Sequence, residues 1–548
     1  MDSIRGGNAG GFHRIMNRDF LAGQDGQRGP RAPVEGVCRD IGYRTRCLRR
    51  AGLVLDVPAP HAGNLLPLLR ADTLSAMGAG AGRDRTRDAA YWQQVLEQQI
   101  AAGGRLTWED PESVRGGMTR WVGARLIWWA RGLPPGRPVA LVSSRLGRPL
   151  DTRRSWFAAL RAGCRSIDAD REYVVTVDQT AADRVMGPAT ALYGLPLLRV
   201  HLAAKRESVA AWLLRCLDAV PVANDGSRRP VPWHAFVSAS LGRDPMAEFT
   251  LRDRLLIAFA QRLFICHVRR RGLVQQLVNK RLTSRVWPNP PTTVAVGDKL
   301  VHPKVLQELL ELGSQPLSIG IPAPRLAETA RLDRLGPAHS SLPAILPSAR
   351  FSAAEPYLLH CTRHQIEPWP DQDENEYLED LILDLPSADH SALATLQRIL
   401  RQQRLRATHR TIRGGYAMVS FTEVQLAELG KLRTYRAYRT RWDFQPYGVG
   451  IARRWLRRHG ARPVTYGAAA SWDHLPPVAR PFFQARRPAS KHAIDWSRER
   501  EWRHPGDVRL ASLRAEQAFL FVPNQSEADR LAPFSRWPIV VVASSEAP

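Results

Sequence analysis

Apolar residues fall into two rhythms along this chain. From Pro138 onward, short β-branched runs alternate with stretches at helical spacing. "PVALVSS" reads as a strand and is followed by the loop "RLGRPL". Asp151 then stands where an N-cap would open the helix "TRRSWFAALRAG". "EYVVTV" and "LPLLRVHLA" read as further strands; between them Thr180 would cap a helix that closes at Tyr193-Gly194. A second cycle adds the helix "RDRLLIAFA", the strand "RLFICHV", the loop "RRRG" and the helix "LVQQLVNKRL". The strand "TTVAVG" and the helix "HPKVLQELLELG" complete it. Strands alternating with helices predict a parallel sheet covered on both faces.

The flanking segments read differently. Residues 1–35 are rich in Gly and Arg and predict disorder. Residues 36–137 read as mostly helical: "RDAAYWQQVLEQQIAAGG" has helical spacing and a Gly-Gly stop, and "TRWVGARLIWWARGL" looks like a buried helix. Residues 138–320 form the Rossmann-like unit, and the Pro-rich segment 321–350 reads as a linker. Residues 351–548 mix strands with an acidic helix near 374–385 and a basic amphipathic one carrying Leu393, Leu396 and Leu400. The candidate strands there are "PYLLHCT", "YAMVSFT", "YGVGI", "RPVTYG", "SREREWR", "AFLFVP" and "WPIVVVA". The expected architecture is an α/β Rossmann-like N-terminal region joined to an α+β C-terminal module.

Charge sharpens this picture. The 548 residues carry a formal net charge of +26. Six of the 78 basic residues are lysines; the rest are arginines. GC-rich coding explains arginine over lysine but not base over acid. A field of this sign favours polyanions, so nucleotide or nucleic acid is the expected partner. No two of the six cysteines stand at C-x-x-C spacing, which argues against a zinc ribbon and suits a reducing, cytoplasmic setting. The first residues have no apolar core of a signal peptide, and no apolar run approaches the length of a membrane span.

Two loops lie at the expected carboxyl ends of strands, where open parallel sheets bind ligands. Ser143, Ser144, Arg145 and Arg148 in "SSRLGR", and Arg269, Arg270 and Arg271 in "VRRRG", are candidate anion ligands ahead of helix N-termini. Neither loop is a G-x-G-x-x-G or Walker motif. Bland βα connections with solvated arginines would read the same way. Through "VALVSSRLGR", "HVRRRGLVQQL" and the element order, the region resembles the Rossmann-like nucleotide-sensing folds related to DNA-processing protein A and the LOG family. The glycine-rich signature of those families is absent.

In the C-terminal region, a strand over 498–503 would put Glu499, Glu501 and Arg503 on one face. Two adjacent carboxylates can divide acid–base roles; equally, they can pair with arginines across strands. The order of motifs resembles that of ADP-ribosyltransferases, which carry a late-strand Glu, a mid-domain Ser and a first-strand His or Arg. That resemblance implies catalytic roles for His360, Ser420, Glu499 and Glu501. It also implies NAD as cofactor, contacted by Arg363 and Thr422. "IRGGYAMVSFTEVQLAEL", "YGVGIARRWLRRHGARPVTY" and "WSREREWRHPGDVRL" are similar to AbiGi-type abortive-infection proteins. That implies a bacterial anti-phage or toxin–antitoxin setting, with a non-enzymatic nucleic-acid-binding regulator as the alternative. The seven acids between Asp371 and Asp384 lack an EF-hand glycine, and His360 and His364 are poorly spaced on a strand, so no metal is expected.

Overall fold

In the computed structural model, the apolar runs from Pro138 form the middle of a nine-stranded sheet. The structure describes residue 74 and residues 89–108, 121–147, 150–218, 232–241, 244, 246–284, 289–320, 342–352, 355–409, 412–436, 441–486 and 496–542. Segment 1–35, the linker over 321–341 and Arg148 lie outside these residues.

The strands of the first sheet are β1 (Arg105–Trp108), β2 (Leu126–Trp129), β3 (Arg137–Ser143), β4 (Glu172–Val177), β5 (Leu197–Leu202), β6 (Trp233–Val237), β7 (Arg262–His267), β8 (Thr292–Val296) and β9 (Gln315–Ser318). Their order is β1-β2-β6-β5-β4-β3-β7-β8-β9. From β6 through β9 every neighbouring pair is parallel. The helices are α1 (Ala89–Ala101), α2 (Arg154–Arg165), α3 (Asp183–Tyr193), α4 (Val209–Asp218), α5 (Leu251–Phe259), α6 (Leu273–Leu282) and α7 (Pro303–Glu311). Both faces of the sheet are covered, which is why its strands are continuously apolar. Val139 and Leu141 enter one core with α2 and α3; Ala140 and Val142 enter another with α5, α6 and α7. This is a Rossmann-like α/β unit. The chain builds outward from β3 to β6, then returns to place β7 on the other side of β3, so the strand order reverses between β3 and β7.

Three local expectations are corrected. Leu126–Trp129 is a strand, antiparallel to β1 and β6, and so the sheet reaches well before residue 138. Leu126 and Trp128 pack with α1 and α4, while Ile127 and Trp129 pack on the opposite core. A run buried on both faces shows no polar alternation and cannot be told from a buried helix by period. Asp151 does not cap α2, whose N-cap is Arg153 without a side-chain bond. Its carboxylate instead receives His364 Nε2 at 2.9 Å from both oxygens. Thr180 likewise caps nothing: α3 begins after Ala182, and the Thr180 hydroxyl donates to the Val177 carbonyl.

The second sheet has eight strands: β10 (Ile345–Pro347), β11 (Tyr357–Cys361), β12 (Met418–Thr422), β13 (Gly448–Ala452), β14 (Arg462–Pro463), β15 (Glu501–Pro505), β16 (Ala518–Val522) and β17 (Ile539–Val541). Their order is β10-β17-β16-β13-β11-β12-β15-β14. Helices α8 (Glu374–Leu383), α9 (Ala392–Gln402), α10 (Arg453–Arg458) and α11 (Gln525–Leu531) accompany them.

The acidic helix α8 explains how the two sheets are joined. Its Tyr377, Leu378, Leu381 and Ile382 belong to the core under α2 and α3. Around that apolar contact Arg154 binds Asp384 at 2.6 Å, Arg184 pairs with Glu374, and Arg161 donates to the Ile382 carbonyl. These acids serve as partners within the molecule for part of its basic surface. Among the described residues, no group of three or more His, Cys, Asp or Glu is placed to hold a metal, and no helix is long and apolar enough to cross a membrane.

Candidate functional site

The paired acids come first. Residues 497–503 are not one strand. Trp496–Glu499 forms a 3-10 turn, Arg500 takes a positive φ of 43°, and β15 starts at Glu501. Glu499 therefore stands off the strand, while Glu501 and Arg503 share a face. β12 lies beside β15, with Ser420 opposite Arg503 and Thr422 opposite Glu501. The Ser420 hydroxyl donates to Glu501 at 2.7 Å. Arg503 grips both Glu501 oxygens at 3.0 Å. Its remaining donors go to the Pro481 and Phe483 carbonyls and to Gln484. All five N–H groups of a guanidinium only 2% exposed are thus used.

Glu499 has a weaker partner. Arg436 Nη2 lies 3.9 Å away, and Arg436 already bonds Asp443 at 3.1 Å. Burial, then the charges of Glu501 and Asp443, push the Glu499 carboxyl up to about 7. Burial and the Glu501 charge push the neighbouring Tyr466 phenol up to about 12. Thr422 spends its hydroxyl on the Glu499 carbonyl, at 2.5 Å, and on the Val424 N–H, so it offers no free group to a cofactor.

His360 does not join this group. Leu359 pairs with Thr422, and strand alternation sends His360 to the opposite face with Leu358 and Phe421. Its ring meets Phe421 edge-on at 5.7 Å and its Nδ1 lies 2.9 Å from the Ser420 carbonyl. Burial, with a smaller push from the charge of Arg363, lowers the ring to about 4. Cys361 is the first-strand residue that senses the acids: burial and the charge of Glu499 push its thiol up to about 12. Ser420, Glu499 and Glu501 therefore converge, His360 is turned away, and Arg363 lies past the strand end. Arg436, Asp443, Tyr466 and Gln484 come from distant segments that no local motif marked.

Glu499 also gives the fold a pH dependence. A carboxyl at 4.5 when unfolded and near 7 when folded leaves the native state holding more protons between those values. Its contribution is intact below pH 4.5 and is lost as pH rises through about 7. Glu499→Gln removes this loss. The variant is expected to gain on the wild type in urea unfolding between about pH 5 and about pH 8. A wild type–variant difference constant over that range refutes the assignment.

The second site is the switch point. Ser143 ends β3 in register with His267 at the end of β7. The Ser144 N–H donates to the His267 carbonyl at 2.8 Å, and the Arg269 N–H donates to the Ser144 hydroxyl at 3.1 Å. Ser143 accepts from Trp156 Nε1 and donates to the Ser144 carbonyl. Ser144 thus fastens one loop to the other, and Ser143 ties its own loop to α2 through Trp156. The arginines differ. Arg145, Arg269, Arg270 and Arg271 are all exposed. None of these four guanidiniums has an ion pair or side-chain hydrogen bond among the described residues. Burial lowers the His267 ring, and the charges of Arg269 and Arg153 lower it further, so both cations sit beside it. Arg271 holds a positive φ of 58°, and its N–H is received by Gln275, which shapes the turn into α6. Arg148 is outside the described residues.

The class defined by this geometry is an α/β unit with exposed arginines on the two loops at the strand-order reversal, joined to a second, mixed sheet. No known protein family matches the chain, and no curated protein matches it. A solved structure with partial likeness is that of DNA processing protein A from Streptococcus pneumoniae, at 13% identity and a TM-score of 0.25. The alignment covers 50% of this chain and 94% of that one.

Proposed function

We propose that the nine-stranded sheet binds a phosphate-bearing ligand, in the first place a nucleotide, between the ends of β3 and β7. One observation supports this reading: four exposed guanidiniums without acidic partners gather where the strand order reverses. Open α/β sheets receive ligands at such a reversal, where the helices that follow the two strands run to opposite faces. Arginine suits phosphate because its fork donates two parallel bonds. The Asp151–His364 bond ties the loop after β3 to the segment after β11, so a ligand seated there acts on both sheets.

ADP-ribosyl transfer and NAD cleavage are not proposed. That chemistry needs a carboxylate whose charge is free to meet a developing cation. Both oxygens of Glu501 are engaged by Arg503, burial and the charges of Glu501 and Asp443 favour the protonated form of Glu499, and His360 faces the other way.

The test is binding of ATP and of inorganic pyrophosphate, by calorimetry, to wild type and to the triple variant Arg269→Ala, Arg270→Ala, Arg271→Ala. The variant is expected to bind at least about tenfold more weakly, with a shallower salt dependence. Equal binding by the two proteins, or none by the wild type, rejects the proposal.

A further inference from the structure

Two aromatic side chains on the second sheet's flank are left exposed. Tyr435 is 49% exposed and Trp442 is 41% exposed. They are cross-strand partners on a hairpin, Thr434–Arg436 paired with Arg441–Asp443. Their ring centroids lie 5.4 Å apart, at 55°. The other exposed large hydrophobic side chains among the described residues are aliphatic, so this pair is set apart as an aromatic patch.

The hairpin's two faces differ in character. Arg436 points inward, bonds Asp443 at 3.1 Å, and lies 3.9 Å from Glu499. The Arg436–Asp443 bond braces the hairpin across its own two strands. Tyr435 and Trp442 stand side by side on the other face of this braced hairpin, which removes part of the ordering cost of binding. Arg433 lies over the Trp442 ring at 4.9 Å. A guanidinium stacked this way keeps its N–H groups available for a phosphate. Lys431, nearby in sequence, is paired with Glu428 and adds little net charge.

We infer that Tyr435, Trp442 and Arg433 form a stacking site for single-stranded nucleic acid. Exposed rings supply π-faces that any unpaired base can cover, and the adjacent arginine meets the backbone. A chain of net charge +26 draws such a strand in at long range. Duplex nucleic acid hides its base faces and gains nothing from the rings. This site is independent of the switch-point arginines.

The experiment follows the anisotropy of a fluorescent oligothymidylate of about 15 nucleotides on the full chain. Tyr435→Ala with Trp442→Ala is expected to weaken binding at least about tenfold, whereas Trp442→Phe, which keeps a ring, stays within about threefold of wild type. Arg433→Ala is expected to lower the slope of log K against log salt by about one. A duplex of equal length should respond to none of the aromatic substitutions. Tyr435→Ala with Trp442→Ala should cause the same fold-loss in the Arg269→Ala, Arg270→Ala, Arg271→Ala background as in the wild type, which separates this site from the switch-point arginines. Undiminished oligothymidylate binding by the double alanine variant overturns the inference, provided its thermal melt matches wild type. If that variant misfolds, Arg433→Ala without a change in salt slope overturns it instead. Self-association that the alanines abolish, with oligothymidylate binding unchanged, also overturns it.

Discussion

Arg503→Met is expected to cost about 3–5 kcal/mol of folding stability, as removal of one partner from a buried ion pair does. The guanidinium is 2% exposed and its five donors serve Glu501, Gln484 and the carbonyls of Pro481 and Phe483. Methionine fills a similar volume but supplies none of those bonds. The Glu501 carboxylate then remains beside Glu499 with its counter-charge gone, and two backbone carbonyls lose their donors. The loss should therefore shrink when the stranded charge is also removed. Arg503→Met with Glu501→Gln is expected to recover about 1–2 kcal/mol over Arg503→Met alone, a coupling typical of residues in one network. Urea unfolding of the wild type, both single variants and the double variant closes the cycle. A cost below about 1 kcal/mol for Arg503→Met would mean that the ion pair adds nothing beyond what a surface pair adds. Arg503 is thus a structural centre that holds β15 to the turn at Pro481–Phe483 and to Gln484.

How much of this was legible depends on how local the cause is. β3, β4 and β7 are buried on both faces, so "PVALVSS", "EYVVTV" and "RLFICHV" read directly as parallel strands. The same physics hid β2, since "LIWW" is equally apolar and sits among residues at helical spacing. The two anion loops were placed at strand ends by element order alone. That they adjoin each other depends on β7 returning to the side of β3, a non-local pairing that no spacing encodes. At the acids, Glu501 and Arg503 share a face as a two-residue period requires, but Arg500 breaks the strand with a positive φ and takes Glu499 off it. His360 was misplaced by a single residue of register. Leu359 pairs with Thr422, and one step along a strand exchanges faces. Asp151 had the right residue type for a cap, yet His364, distant in sequence, claimed it.

Gly450→Ala is expected to destabilise the second sheet by about 3 kcal/mol, through overpacking and not through backbone freedom. Gly450 lies opposite Phe519, and Gly448 opposite Phe521. A Cβ at Gly450 would stand 2.2 Å from the Phe519 ring, and one at Gly448 would stand 2.1 Å from the His360 carbonyl and 2.5 Å from the Phe521 ring. Each ring covers the glycine across from it, an arrangement that fills the gap a missing side chain leaves in a sheet. Phe519 cannot swing aside, because Phe351 lies 4.5 Å and Tyr357 5.0 Å from its ring. The two glycines should then separate in a suppressor test. Phe519→Leu removes the atoms that meet a Cβ at Gly450, so Gly450→Ala with Phe519→Leu is expected to be more stable than the two single losses summed. Phe521→Leu should not rescue Gly448→Ala to the same extent. The nearest obstacle there is a backbone oxygen of β11, which cannot withdraw without parting β11 from β13. Thermal or urea unfolding of the four single and two double variants reads both outcomes. A Gly450→Ala variant within about 0.5 kcal/mol of wild type would show that β16 can shift away from β13 at no cost.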